Sequence, residues 1–180
     1  MYEVEMKVRA AHDPVCERLA ETDADHIETV TQEDTYFDAP DRDFAATDEA
    51  LRVRRETADE TRVRLTYKGP LVGDTAKTRT EAETRVADGE AIRSILDGLG
   101  YSPAATVTKT RERYALADCT VTLDAVEGLG EFVEVEYTGE VTADERERAR
   151  QAVVAVLDTL GLDPEAEIRT SYLGLLLDTS

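Results

Sequence analysis

Apolar and charged side chains alternate strictly at the start of the chain, in Tyr2-Glu3-Val4-Glu5-Met6-Lys7-Val8-Arg9. A period of two is the period of a β-strand, whose successive side chains point to opposite faces of the sheet. The stretch therefore predicts a strand with one apolar face and one face that carries two carboxylates and two cations. Much of the remaining chain repeats this pattern.

The same alternation predicts seven further strands, which makes about eight in all. They lie at residues 35–38, 50–54, 62–68, 77–85, 107–113, 121–124 and 133–137. Helical spacing and capping signals predict four helices, at residues 14–21, 89–99, 142–160 and 165–177. Because strands and helices do not alternate as they do in a parallel sheet, we expect an α+β fold with an antiparallel sheet or barrel and helices packed outside.

The chain is strongly acidic, with 40 Asp and Glu against 21 Lys and Arg and a net charge of −19. An acidic surface with few lysines suits a cytoplasm of high salt, so we expect a halophilic, cytoplasmic protein. It argues against nucleic acid as a partner, because binding phosphate backbones needs a basic face. No long apolar segment or signal peptide is present, so we expect no membrane association. Cys16 and Cys119 are predicted to be buried free thiols.

The predicted helices must bury their apolar stripes, and the apolar strand faces are the available surface. If helices cover those faces, the charged faces turn toward one another and line the interior of a closed eight-stranded antiparallel barrel. The charged faces hold 12 of the 21 cations and seven acids, a net charge of +5 against −24 elsewhere. The cations are Lys7, Arg52, Arg54, Arg62, Arg64, Lys68, Lys77, Arg79, Arg85, Lys109, Arg111 and Arg113, and the acids are Glu3, Glu5, Glu81, Glu83, Asp124, Glu134 and Glu136.

A lining of this kind is unstable when empty, because like charges repel and burial costs each charge its hydration. A polyanion would neutralise the cations, and metal ions would neutralise the acids. Arginine offers a planar fork to phosphate oxygens, and lysine offers a point charge. Carboxylates two positions apart on a strand face, such as Glu3 with Glu5 and Glu134 with Glu136, suit an oxygen-preferring cation such as Mg²⁺ or Mn²⁺. The pattern predicts a tunnel that binds a metal ion and a triphosphate.

The opening Glu3-Val4-Glu5-Met6-Lys7 resembles the ExExK signature of the CYTH superfamily, the triphosphate tunnel metalloenzymes. Other blocks that resemble the family follow in its order along nearly the whole chain. They are Asp34-Thr35-Tyr36-Phe37-Asp38, Glu49-Ala50-Leu51-Arg52-Val53-Arg54, Leu65-Thr66-Tyr67-Lys68-Gly69-Pro70, Lys109-Thr110-Arg111 and Leu123-Asp124-Ala125-Val126-Glu127-Gly128-Leu129-Gly130-Glu131-Phe132-Val133-Glu134-Val135-Glu136. Within the superfamily the chain looks most similar to the class IV adenylate cyclase branch, as a single CYTH domain over residues 1–180.

The resemblance implies an eight-stranded tunnel and a set of site residues. The acids that match the family's metal side are Glu3, Glu5, Asp124, Glu134 and Glu136. The bases that match its phosphate-binding residues are Lys7, Arg52, Arg54, Lys68, Arg79, Lys109 and Arg111. Four further cations are assigned to the site only by their position on the charged strand faces. They are Arg62, Arg64, Lys77 and Arg85. The cyclases of the family form homodimers, which leaves a homodimer open for this chain.

Class IV cyclases convert ATP to 3′,5′-cyclic AMP and pyrophosphate. The resemblance implies that a metal held chiefly by Glu5 and Glu136, with Lys7 as the third catalytic residue, orients the ribose 3′-oxygen for attack on the α-phosphate. The enzymatic alternative is a triphosphatase that hydrolyses inorganic, thiamine or nucleoside triphosphate. A third alternative is a non-catalytic sensor of triphosphates. The signature residues recognise the polyphosphate and not the group attached to it, so the sequence leaves the reaction open.

Overall fold

The computed structural model describes residues 4–70, 80–142 and 144–179. In these ranges it has eight strands, five α-helices and one 3-10 turn. The strands are β1 Glu5–Arg9, β2 Asp25–Asp38, β3 Ala50–Thr57, β4 Thr61–Lys68, β5 Glu81–Val86, β6 Ser102–Leu116, β7 Cys119–Val126 and β8 Gly130–Tyr137. The helices are α1 His12–Ala20, α2 Phe44–Thr47, α3 Gly89–Gly98, α4 Arg146–Thr159 and α5 Tyr172–Asp178, with the 3-10 turn at Pro164–Ala166.

The strands form one hydrogen-bonded sheet in the order β1-β8-β7-β6-β2-β3-β4-β5. The pairs β1–β8, β8–β7, β7–β6, β2–β3, β3–β4 and β4–β5 are all antiparallel. The predicted α+β class and eight-stranded antiparallel sheet are therefore confirmed. The order has two ends, β1 and β5, so hydrogen bonds between the described strands do not close the sheet into a ring.

By internal contacts the chain divides into two compact units. Unit 1 comprises Met1–Val30 and Lys109–Ser180, and unit 2 comprises Thr31–Thr108. Strands β2 and β6 each contribute residues to both units. The single domain predicted over residues 1–180 stays a prediction.

In unit 1 the apolar strand face is covered by helices α1 and α4. Met6 of β1 and Val135 of β8 belong to one buried cluster with Val15 of α1 and with Val153 and Leu157 of α4. Each fully buried apolar side chain of this size stabilises the fold by about 1.5–3 kcal/mol. As predicted, the helices lie on the apolar face of these strands, which leaves the charged face on the other side of the sheet.

Unit 2 repeats this arrangement with its own buried cluster. Phe37 of β2 and Val53 of β3 pack with Phe44 of α2 and Leu96 of α3. Helix α2 was not predicted because four residues are too few to show a helical period. Asp43 caps it by accepting hydrogen bonds from two backbone N–H groups of its first turn.

The C-terminal region differs from the single helix predicted at residues 165–177. After the 3-10 turn the chain is extended, and the backbone N–H of Ile168 donates a 2.7 Å hydrogen bond to the carbonyl oxygen of Lys7 in β1. Helix α5 begins only after Ser171, whose hydroxyl accepts a hydrogen bond from the N–H of Gly174. The helix prediction was wrong for residues 167–171, because this segment bonds to β1 instead of to itself.

A tight turn between β7 and β8 sets the register of the strands that carry the acids of unit 1. Gly128 and Gly130 have φ angles of +79° and +106°. Residues other than glycine adopt such angles only with strain. The turn is closed by a 3.1 Å hydrogen bond from the N–H of Leu129 to the carbonyl oxygen of Val126. The two glycines therefore mark the hairpin that joins β7 to β8.

Cys119 is buried and Cys16 is exposed, and both are free thiols. The prediction of free thiols is confirmed, and the predicted burial is wrong for Cys16, because its position on α1 faces away from the core. Within the described ranges, no helix combines the length and the apolar character needed to span a membrane.

Candidate active site

Strands β1 and β8 turn charged side chains to the same face. Residues directly opposite each other in an antiparallel pair project from one face of the sheet. The register places Glu5 opposite Glu136 and Lys7 opposite Glu134. Three acids and one cation therefore lie on the face that helices α1 and α4 leave uncovered.

Strands β7 and β6 extend this face. Thr122 lies opposite Glu134 in the β7–β8 pair, and Asp124 is two residues further along β7 on the same side. Arg111 of β6 lies opposite Asp124, and Lys109 is two residues before it. We call the face that carries Glu5, Lys7, Lys109, Arg111, Asp124, Glu134 and Glu136 the charged face of unit 1.

Arg111 joins the two central acids of this face. Its Nε and Nη2 atoms donate to Oδ1 and Oδ2 of Asp124 over 2.7 and 2.6 Å. Its Nη2 atom also donates to Oε1 of Glu134 over 3.0 Å. The Asp124 side chain is fully buried. Two parallel bonds from a planar guanidinium to a carboxylate form a strong and geometrically specific pair.

The two acids have pKa values that are shifted in opposite directions. Burial raises the pKa of Asp124, but the hydrogen bonds and charge of Arg111 outweigh it and hold that pKa well below its usual range. Burial raises the pKa of Glu134, and the nearby charges of Asp124 and Glu5 oppose the lowering by Arg111. Asp124 is thus the permanent anion of the pair, and Glu134 is the acid that accepts a proton more readily.

Tyr172, the first residue of α5, lies against the same face. Its hydroxyl is 2.7 Å from Oδ2 of Asp124 and 2.9 Å from Oε1 of Glu134. The Nζ atoms of Lys7 and Lys109 lie 4.3 and 4.8 Å from the centre of its ring. Tyr172 was not predicted as a site residue, because one aromatic at the start of a short helix looks like an ordinary core position.

Unit 2 carries a second charged face with a similar ion pair. Arg54 of β3 donates two 2.7 Å hydrogen bonds from Nε and Nη2 to the carboxylate of Asp34 on β2, which is buried. Arg52 lies further from its acids. Its Nη1 atom is 3.6 Å from Oδ2 of Asp34, and its Nη2 atom is 3.9 Å from Oε2 of Glu83. Asp34 begins one of the blocks that resemble the family, residues 34–38, but its role as the partner of Arg54 was not predicted.

Some other cations of the unit 2 face are also near acids. Lys68 lies 3.2 Å from Glu81, and Arg64 lies 3.4 Å from Glu83. The register places Arg64 opposite Arg85, and it places Arg62 opposite Glu56. Two like charges opposite each other destabilise a sheet, and the nearby Glu83 offsets part of that cost.

The structure thus gathers some of the predicted site residues around Tyr172 and places others elsewhere. Those in contact with Tyr172 or its acids are Lys7, Lys109, Arg111, Asp124 and Glu134. Glu5 and Glu136 face each other across β1 and β8, and Arg52, Arg54 and Lys68 lie on the charged face of unit 2. Glu3, Lys77 and Arg79 lie outside the described residues.

The acids of unit 1 fit a divalent metal by their chemistry. Glu5 and Glu136 are two carboxylates directly opposite each other, an arrangement that costs stability unless a cation offsets it. The atoms that these side chains offer to a metal are all oxygens, the ligands that Mg²⁺ and Mn²⁺ prefer. Across residues 4–70, 80–142 and 144–179, no three His, Cys, Asp or Glu side chains are close enough together to hold a metal ion. The assignment of a metal to these acids stays a prediction.

Comparisons with known proteins agree with this arrangement of strands. A family model described as the CYTH domain matches residues 1–172. A protein of Methanocaldococcus jannaschii, named "Putative adenylate cyclase MJ0240", is 38% identical over 97% of this chain and 98% of its own length. The structure of protein PH1819 from Pyrococcus horikoshii OT3 has a TM-score of 0.84 and 40% identity, and the match covers 99% of this chain and 100% of that one.

A more distant structure comes from Hippeastrum, with a TM-score of 0.72 and 20% identity over 99% of this chain and 97% of that one. The protein is named "Putative adenylyl cyclase HpAC1" and is said to have a dominant triphosphatase activity. At this identity the likeness shows a shared fold.

Proposed function

Because the chain belongs to the CYTH domain family, we propose that it is a metal-dependent adenylate cyclase that converts ATP to 3′,5′-cyclic AMP and pyrophosphate. The observation that carries the proposal is the register of β1, β8, β7 and β6. It places acids suited to a metal and cations suited to phosphate on one face of four neighbouring strands. The adenylate cyclase name of the relative that is 38% identical supports cyclisation as the reaction.

Glu5 and Glu136 would hold the divalent cation, with Mg²⁺ and Mn²⁺ as the candidates. The bound cation would act as a Lewis acid that lowers the pKa of the ribose 3′-hydroxyl and offsets phosphate charge. The reaction forms a bond between the 3′-oxygen and the α-phosphorus and breaks the bond to the bridging oxygen of pyrophosphate. The hydroxyl proton leaves to solvent or to a carboxylate of the site.

The cations of the unit 1 face would bind the phosphates. Lys7 and Lys109 offer ammonium groups, and a fixed positive charge near the leaving pyrophosphate stabilises the transition state. Arg111 uses Nε and Nη2 for its acids, and its Nη1 atom takes no part in those bonds. Arg52, Arg54 and Lys68 stay predicted phosphate-binding residues on the unit 2 face.

The second candidate reaction is hydrolysis of a triphosphate by water. It is favoured by the activity described for the Hippeastrum protein and by the chemistry of the site. Ammonium and guanidinium groups bind phosphate oxygens whatever is attached to the α-phosphate. The same residues would then stabilise charge on the departing phosphates.

One incubation separates these reactions. The purified chain is mixed with Mg²⁺ or Mn²⁺ and with ATP, inorganic triphosphate or thiamine triphosphate, and the products are resolved by chromatography. We expect cyclic AMP and pyrophosphate in equal amounts from ATP. Orthophosphate without cyclic AMP would overturn cyclisation in favour of hydrolysis, and triphosphate binding without any product would indicate a sensor.

The assay conditions follow from the charge of the chain. We propose a high-salt cytoplasm as its environment, on the basis of the net charge of −19. The incubation is therefore run from low to molar KCl. A homodimer stays a prediction, and a sedimentation measurement in the same buffers tests it.

A further inference from the structure

We propose that Tyr172 is a positioning residue of this site, whose hydroxyl fixes the two central acids and whose ring aligns the two lysines. The catalytic part of this inference rests on the proposed function, and the positional part stands on the contacts alone. All the residues concerned belong to unit 1.

The hydroxyl bridges two particular oxygen atoms, Oδ2 of Asp124 and Oε1 of Glu134. The Nη2 atom of Arg111 donates to the same two atoms, over 2.6 and 3.0 Å. Two groups therefore meet the same pair of acceptor atoms, which holds the two carboxylates near each other although like charges repel. A hydroxyl has a single proton, so Tyr172 donates to one acid at a time, whereas Nη2 of Arg111 donates to both.

The ring lies within cation–π distance of both lysines. Their Nζ atoms are 4.3 and 4.8 Å from its centre, inside the distance of about 6 Å at which this attraction acts. Lys109 is only 6% exposed, and the attraction is stronger where water is excluded. The aromatic face therefore compensates in part for the lost hydration of a buried ammonium group.

The backbone around Tyr172 fixes the ring in place. The Nζ atom of Lys7 donates a 2.7 Å hydrogen bond to the carbonyl oxygen of Thr170. The rings of Tyr172 and Phe132 meet edge to face, at 5.1 Å between ring centres and an angle of 65°. With the bond from Ile168 to β1, these contacts anchor the segment to β1 and β8.

The two halves of the side chain thus act on different partners, and two substitutions separate them. Tyr172→Phe removes the hydroxyl and keeps the ring, so it loosens the acids and leaves the lysines aligned. Tyr172→Leu removes both. The matched control is Tyr114→Phe, because the Tyr114 hydroxyl also donates to a glutamate, Glu112, over 2.9 Å, but from the side of β6 opposite to Lys109 and Arg111.

Steady-state kinetics with ATP test the catalytic part. We expect Tyr172→Phe to lower kcat about tenfold with KM nearly unchanged, because one hydrogen bond to a charged group is lost. Tyr172→Leu should also raise KM about tenfold or more, because two cation–π contacts are lost. Tyr114→Phe should match the wild type. Wild-type kcat and KM in both Tyr172 variants would overturn the proposal.

Lysine labelling tests the positional part without any turnover. The chain has only four lysines, so acylation of each can be followed by peptide mass spectrometry. We expect Lys7 and Lys109 to react several times faster in Tyr172→Leu than in the wild type or Tyr172→Phe, because the ring no longer holds their amines. Lys68, in unit 2, is the internal reference and should react equally in all three.

The two measurements also distinguish failure of the positioning role from failure of the proposed function. If the wild type neither binds nor converts a triphosphate, the proposed function is wrong and the labelling alone decides the role of Tyr172. Unchanged labelling of Lys7 and Lys109 in Tyr172→Leu would then overturn the positioning role as well.

Discussion

Arg111 donates two parallel hydrogen bonds to Asp124 across the β6–β7 ladder, of 2.7 Å from Nε and 2.6 Å from Nη2. The pair is buried, and its acid is one that the resemblance to the CYTH superfamily assigns to the metal side of the site. In this structure both carboxylate oxygens of Asp124 accept hydrogen bonds from protein groups. Asp124 therefore organises the charged face of unit 1 whether or not it also contacts a metal.

Replacing Asp124 by Asn should destabilise the protein by about 3 kcal/mol, because the substitution leaves a buried guanidinium with an incomplete partner. Urea unfolding monitored by circular dichroism measures the change, and Asp118→Asn, at an exposed turn, is the control. Equal stability of Asp124→Asn and the wild type would show that the ion pair contributes nothing to folding.

The acid stability of the protein should depend on Glu49. Its carboxylate accepts hydrogen bonds from Arg42, Thr47 and Tyr67, which lower its pKa from 4.5 to about 2. A lowered pKa means that this stabilisation is complete above pH 4.5 and is lost as the pH falls toward 2. In Glu49→Gln, the free energy of unfolding should depend less on pH across that window, measured by urea titrations at several pH values.

The control for this prediction is Glu60→Gln, which changes an exposed glutamate in the turn between β3 and β4. It should keep the wild-type pH dependence. The same slope in Glu49→Gln as in the wild type would mean that Glu49 is bonded no better in the folded chain than in the unfolded one.

The two thiols should react at very different rates. Cys16 is exposed, whereas Cys119 is 1% exposed and its burial, with Asp118 nearby, raises its pKa to about 11. The thiolate is the reactive form. Partial burial and nearby acids also raise the pKa of Cys16, but its thiol is the accessible one, so at pH 8 a disulfide reagent should titrate one thiol per native chain and two after unfolding. Cys16→Ser should leave no fast thiol. Fast reaction of Cys119 in the native variant would contradict the packing of β7 against the core.

The sequence predicted the faces of the strands well, for a physical reason. In β1 the two faces differ completely in chemistry, so the alternation admits only one orientation once helices cover the apolar side. The register found for Glu5, Lys7 and Glu136 agrees with that orientation. The capping-box pattern at Thr142 and Glu145, which are hydrogen-bonded to each other, was an equally local signal.

What the sequence could not predict depends on contacts between distant segments. Tyr172 lies 48 residues from Asp124, and no period or spacing connects them. The extended segment before α5 is fixed by its hydrogen bond to Lys7, which replaced a helix that local propensity favours. The alternation along the strands placed Arg54 and Arg111 on the charged faces, but it could not show that each is bonded to a buried aspartate.

The most direct test of the central claim is the metal-dependent rate of cyclic AMP and pyrophosphate formation from ATP by Glu136→Ala. The control is Glu127→Ala, which removes an exposed acid from the β7–β8 turn of the same unit. If the charged face of unit 1 is the active site, Glu136→Ala should lower the rate at least about 100-fold with an unchanged circular dichroism spectrum, and Glu127→Ala should keep it. Full activity in Glu136→Ala would contradict the account, because this face would then hold no metal that the reaction needs.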